Sequence, residues 1–95
     1  MTRIKYTMGV CLKADGSSGI KELLRKNQFM IVAHDEITNK CYDANDVLIS
    51  KILASNHNLR YICLYSGNVP LPQEIIRRIN DDPSVINYSI GKLIE

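Results

Sequence analysis

His34, Asp35 and Glu36 are consecutive and place an imidazole beside two carboxylates. Imidazole nitrogens and carboxylate oxygens bind metal ions, and the same groups act as general acids and bases. Successive side chains on an extended segment point in alternating directions, so these three converge on one ion only with help from Asp15 or Asp43. We therefore favour a solvated loop in which Asp35 or Glu36 caps or pairs locally.

A second chemically distinctive segment is the glycine–serine stretch at 15–19, which leads directly into a predicted helix. The free N–H groups and the positive dipole end of a helix start favour a phosphate or a carboxylate. The stretch is neither a Walker loop nor a G-x-G-x-x-G pattern. We favour a surface turn in which Ser17 or Ser18 caps the helix, with anion binding as the alternative.

The three cysteines, Cys11, Cys41 and Cys63, form no Cys-x-x-Cys pair and are too few to staple a small secreted domain. No G-x-S-x-G elbow, signal-peptide core or membrane-spanning apolar run of about 20 residues is present. We expect reduced thiols, a cytoplasmic location, no membrane partner and no cofactor or metal. No convergent catalytic set is found, so an enzyme is the less favoured class.

The distribution of charge indicates a basic region within residues 1–26, but it does not identify a partner. The 12 Lys and Arg residues exceed the 10 Asp and Glu residues by only +2, far from the balance of a dedicated nucleic-acid domain. Residues 1–26, however, contain six basic and two acidic residues, whereas 27–95 contain six and eight. We expect the basic residues of the first helix to face solvent, where they either contact phosphates or remain hydrated.

The elements that position these residues follow from hydrophobic periodicity. Strict alternation over 4–12 predicts a strand, and continuous apolar runs at 29–33 and within 59–65 predict strands buried on both faces. Ile31, Val32, Ile62 and Leu64 are therefore predicted to be almost fully buried. The polar segment between these two runs is a loop in which Ile37 and Tyr42 could support a small hairpin.

Three helices and a final strand complete the pattern. Helical spacing predicts a helix over 20–27, a second that begins after Asp43 and ends near 56–58, and a third over 72–79 before Pro83. The apolar residues of 84–93 alternate with Asn and Ser, which predicts a half-exposed edge strand.

The resulting order is βαβαβαβ in one α/β domain spanning 1–95. It favours a four-stranded, mainly parallel sheet with helices packed on it, and a ferredoxin-like antiparallel α+β arrangement is the rival.

From 16 to about 70 the sequence resembles the kink-turn-binding ribosomal protein family. The shared features are a glycine loop, the basic helix at 20–26, the strand ending in Ala33-x-Asp35, a helix, and the strand at 61–65. The resemblance implies an α/β/α sandwich that grips RNA with the loops and the helix start at one end of its sheet. The residues it assigns to RNA are Gly16, Ser17, Ser18, Lys21, Arg25 and Lys26.

The favoured function is a small non-enzymatic binding module that docks on a macromolecule, as a protein-binding adaptor or inhibitor in a regulatory role. A 95-residue fold has little room for both a core and a deep pocket. The final strand suits addition of a partner strand or homodimer formation. Its predicted contact residues are Val85, Asn87, Ser89 and Gly91. RNA binding through 16–26 is the first alternative, and an anion- or metal-dependent enzyme using Asp15, His34, Asp35 and Glu36 is the second.

Overall fold

The computed structural model describes residues 3–14, 17–43 and 58–94. The predicted second helix, between Asp43 and the segment 56–58, lies outside this part of the chain. The described residues form, in order, β1 (Ile4–Lys13), α1 (Ser18–Lys26), β2 (Met30–Asp35), β3 (Cys41–Asp43), β4 (Leu59–Gly67), α2 (Gln73–Asp81) and β5 (Val85–Ile94).

The strands form one sheet in the order β3-β2-β4-β1-β5, and every neighbouring pair is antiparallel. The predicted four-stranded, mainly parallel sheet is therefore wrong. Strands β1 and β2 do run parallel, but β4 lies between them; β4 and β5 also run parallel, with β1 between them. Two split βαβ units thus interlock, which is the connectivity of the ferredoxin-like alternative, and β3 extends one edge.

Burial in the sheet alternates, because both described helices pack on one face. Tyr61 and Cys63 of β4 and Ala33 of β2 are buried on this helix face, whereas Leu64 on the opposite face is 48% exposed. Ile31, Val32 and Ile62 are only partly buried. The prediction that these three residues and Leu64 are almost fully buried is wrong, since a continuous apolar run does not require cover on both faces.

The core lies between the helix face and the two helices. Its β1 residues, Met8, Val10 and Leu12, are each at most 3% exposed. Register places Val10 beside Cys63 and Leu12 beside Tyr61, so these side chains share one face. The helices contribute Ile20 and Leu24 from α1 and Ile79 from α2.

Strand β5 lies at the edge of the sheet, as its half-polar sequence predicts, and pairs with β1 from Ile4↔Ile94 to Leu12↔Val85. The register shifts between Cys11 and Leu12, so that Ile86 is the additional residue of a β-bulge. At the other edge lies the three-residue β3.

No helix in the described part of the chain is long and apolar enough to span a membrane.

Candidate functional site

Asp35 organises the turn between β2 and β3. It is 2% exposed, and its Oδ1 accepts hydrogen bonds from the backbone N–H of Ile37 at 2.9 Å and of Thr38 at 3.4 Å. The turn closes with Asn39 N–H donating to the Asp35 carbonyl at 2.8 Å, and Asn39 adopts a φ of 60°. The carboxylate therefore caps the turn, the local role favoured for it from the sequence, but it is buried and not in the solvated loop that was expected.

The neighbours of Asp35 point elsewhere. His34 lies on the opposite face of β2, with its Nε2 2.7 Å from Asn39 Oδ1. The Glu36 Oε1 atom forms an ion pair with Arg60 Nε at 3.0 Å. Asp15, named as a further ligand, lies outside the described residues. Within the described ranges no group of three or more His, Cys, Asp or Glu side chains is placed to hold a metal ion.

Lys21 of α1 lies in the core. Its side chain is only 4% exposed, and its Nζ lies 3.4 Å from the Tyr61 Oη and 4.7 Å from the centroid of the Tyr61 ring. The ammonium thus packs on an aromatic face beneath the helix. The expectation that the basic residues of this helix all face solvent is wrong at Lys21.

The rest of the predicted RNA segment is only partly assembled. Arg25 and Lys26 are exposed, and Arg25 Nη1 pairs with Glu22 Oε1 at 2.6 Å one turn earlier. Ser17 is 2% exposed and precedes α1, but its side chain makes no capping hydrogen bond. Ser18 begins α1, and Gly16 lies outside the described residues.

The described thiols are all free and differ in exposure. Cys63 is fully buried, and this burial, with a smaller contribution from Cys11, raises its pKa to about 12 against the lowering effect of Lys21 and Arg25. The thiol therefore stays protonated at neutral pH and behaves as a small apolar group. Cys41 is exposed on β3, opposite His34.

An exposed apolar surface follows β5. Every residue from 87 to 94 is exposed. Its large apolar side chains range from 37% exposed at Tyr88 to 70% at Ile94, and Ile4, 39% exposed, is paired with Ile94 on β1. An exposed apolar stripe on a free sheet edge indicates an interaction surface.

Helix α2 covers only the beginning of this strand. Val85 packs against the core, and the Tyr88 Oη donates a hydrogen bond to Asn80 Oδ1 of α2 at 2.8 Å. Beyond Tyr88, Ile90 is 59% exposed on the same face, and Lys92 Nζ lies 5.4 Å from the Tyr6 ring centroid. The apolar stripe therefore continues past the end of the helical cover.

The direction of the main-chain groups shows which residues can accept another strand. Lys13 N–H donates to the Ser84 carbonyl at 2.9 Å, and the uniform register with β4 shows that β1 contains no bulge. Alternate residues of β1, counted back from Lys13, thus direct their N–H and C=O groups towards β5. The β5 residues that receive them are Asn87, Ser89, Gly91 and Leu93.

The free N–H and C=O groups of β5 consequently belong to the alternate set, Tyr88, Ile90, Lys92 and Ile94. The predicted contact residues Asn87, Ser89 and Gly91 lie on the edge strand but direct their main chain inward, and Val85 lies at its partly buried start. Sequence reasoning missed the outward set because it treated the apolar face of this half-exposed strand as its buried face. The available signal was length. The strand has ten residues, which is more than the apolar face of the preceding helix can cover.

Comparison with protein-family models gives no match, and comparisons with curated proteins and with solved structures likewise find none.

Proposed function

We propose that this protein is a non-enzymatic binding module, an adaptor or inhibitor, that recognises a partner protein by pairing a strand with β5. The observation that carries the proposal is the free edge of β5, where the outward main-chain groups of Tyr88, Ile90 and Lys92 accompany exposed apolar side chains. Main-chain hydrogen bonds would supply affinity, and the alternating side chains would supply selectivity.

The contrast with the other edge of the described sheet supports β5 as the binding edge. Strand β3 has three residues, and short edge strands are one way in which proteins prevent unwanted pairing. Strand β5 has ten residues, no proline, and Lys92 as its single charged residue, and its bulge is confined to its start. It therefore lacks most of the features that protect a sheet edge.

RNA recognition by the segment 16–26 remains a prediction. Arg25 and Lys26 are exposed cations on α1, but Lys21 is 4% exposed. Phosphate contacts need side chains that reach the solvent. The free edge of β5 is thus the better supported surface, and the experiment below separates the two.

The test compares immobilised wild type with two edge variants and one matched control. Ile90→Pro removes an outward N–H, Ile90→Lys places a charge on the stripe, and Val69→Lys makes the same change at a loop side chain that is 68% exposed, against 59% for Ile90. Proteins retained from a cell extract are quantified by mass spectrometry, with and without nuclease.

We expect partners that bind wild type and Val69→Lys equally but are lost with both Ile90 variants. Hydrogen exchange of the purified complex should slow at the amides of 88, 90 and 92. Equal retention by all four proteins would refute the edge as the binding site. Retention that nuclease or Arg25→Glu abolishes would establish the RNA alternative instead.

A further inference from the structure

We infer that the strand added to β5 is the β5 strand of a second copy of this chain, paired antiparallel about a two-fold axis beside Ile90. This inference rests on the proposed function, because it names the occupant of the same edge. The argument depends on the outward set of main-chain groups and on which side chains meet in each register.

The direction of the added strand follows from the charged residues near the end of β5. Lys92 is the only charged residue on β5, and the adjoining start of β1 carries Arg3 and Lys5. Parallel in-register pairing would place Lys92 directly opposite its copy, and like charges directly opposite destabilise a sheet. Antiparallel pairing about a two-fold axis removes this repulsion by bringing the basic end of each strand towards the start of the other.

Register follows from alternation. Two strands hydrogen-bond through outward-directed groups, and a two-fold axis can pass beside a hydrogen-bonded pair, centred on Tyr88, Ile90 or Lys92, or beside a non-hydrogen-bonded pair, centred on Ser89 or Gly91. We choose the first kind, because it can place an exposed apolar side chain directly opposite its own copy. A centre at Lys92 again opposes two ammonium groups. A centre at Tyr88 pairs only residues 85–91 and places the bulge at Ile86 close to the axis. A centre at Ile90 overlaps nearly the whole of β5.

The side chains meet favourably in the Ile90 register. Ile90 faces its own copy, and Tyr88 faces Lys92 of the second chain. Apolar pairs and a cation beside an aromatic ring each stabilise cross-strand neighbours. The outward groups of Tyr88, Ile90 and Lys92 would exchange about six hydrogen bonds, two for each hydrogen-bonded pair. The two five-stranded sheets would then form one continuous sheet.

Disulfide trapping tests this register in a Cys41→Ser background, which removes the exposed native thiol. Directly opposed residues of a hydrogen-bonded pair have Cα atoms about 5.5 Å apart, within the range of about 4.4–6.8 Å that a disulfide spans. The test proteins are Ile90→Cys alone and an equimolar mixture of Tyr88→Cys with Lys92→Cys. Val69→Cys is the matched control, and the oxidant is oxidised glutathione.

We expect Ile90→Cys to shift from monomer to disulfide-linked dimer and the 88/92 mixture to form a heterodimer, while Val69→Cys stays monomeric. Sedimentation velocity should show wild type passing from monomer to dimer as concentration rises, a transition that Ile90→Lys abolishes. Cross-linking in a mixture of Ile90→Cys with Lys92→Cys, and not in Ile90→Cys alone, would centre the pairing on Gly91 and overturn the proposed register.

The failure of this inference is distinguishable from the failure of the proposed function. A wild type that stays monomeric at its highest soluble concentration overturns the second copy as occupant. If Ile90→Lys still loses a retained partner, the edge remains the binding site and its occupant is a different protein. A dimer that forms equally well in wild type, Ile90→Lys and Ile90→Pro overturns this inference alone, because self-association then uses another surface, and the partner-binding test with the Ile90 variants still decides the proposed function.

Discussion

Strands β1 and β5 are neighbours of equal length with similar alternation of apolar residues, yet their burial differs almost completely. The apolar residues Met8, Val10 and Leu12 of β1 are buried, whereas β5 is exposed from 87 to 94. Among the described residues, β1 has a strand on both sides and helices above it, whereas β5 has one neighbouring strand and helical cover only at its start. Alternation thus specifies which face of a strand is apolar, and tertiary structure decides whether anything covers it.

The largest expected difference between the two strands is their response to proline. The Val10 N–H points towards β4 in the middle of the sheet, so Val10→Pro should prevent folding. The Ile90 N–H points away from β1, so Ile90→Pro should leave a folded monomer. Circular dichroism and thermal melting of both variants check this. Loss of structure in Ile90→Pro would show that the outward set of main-chain groups is misassigned.

Truncating side chains compares the same strands through packing alone. Leu12→Ala removes a fully buried side chain and should lower the free energy of unfolding by about 2–5 kcal/mol. Ile90→Ala removes one that is 59% exposed and should change this free energy by less than about 0.5 kcal/mol in the monomer. Urea denaturation measures both values. A similar cost at the two positions would contradict the difference in cover.

Lys21 and Lys26 extend the comparison to buried and exposed cations of one helix. Lys21→Ala removes the packing on Tyr61 and should lower the free energy of unfolding by about 1–3 kcal/mol. Lys26→Ala should change it by less than about 0.5 kcal/mol. Lys21→Met, which retains the apolar stem, should recover part of the loss. Urea denaturation of all three variants ranks these costs, and equal effects of the two alanine variants would contradict the burial of Lys21.

The smallest effect is the pH dependence contributed by Cys63. Its pKa is raised from 9.0 to about 12, so the unfolded chain loses this proton at a lower pH than the folded protein does. The contribution to stability is fully present below pH 9 and declines as pH rises towards 12, by about 1 kcal/mol at pH 10. Cys63→Ala should show a shallower decline in denaturation experiments over this range. An unchanged slope would exclude Cys63 as its source.

Local structure was predictable where the periodicity was strong. The predicted strands at 4–12, 29–33, 59–65 and 84–93 match β1, β2, β4 and β5 closely, because alternation and apolar runs are local properties. The parallel direction of β1 and β2 also follows from the helix between them. Their separation by β4 depends on contacts between distant segments, and no local pattern encodes it.

The candidate site was predictable only in part, for the same reason. The edge position of β5 follows from its half-polar sequence, but the direction of its main-chain groups depends on pairing with β1. The burial of Lys21 was indicated by its position in the sequence. Lys21 lies three residues before the buried Leu24 and therefore on the apolar side of α1. Counting Lys21 by its charge, rather than by its place in the helical repeat, assigned it to solvent.

The pairing of β1 with β5 also has a consequence for the order of folding. It joins Ile4 to Ile94, so the contact closes a loop of about 90 residues and forms only after that length of chain is available. Because β4 precedes β5 in the chain, β4 can pair with β1 before β5 is available, and the second edge of β1 is open for that interval. A nascent chain therefore presents Thr7, Gly9 and Cys11 as a temporary edge, which the last strand then covers.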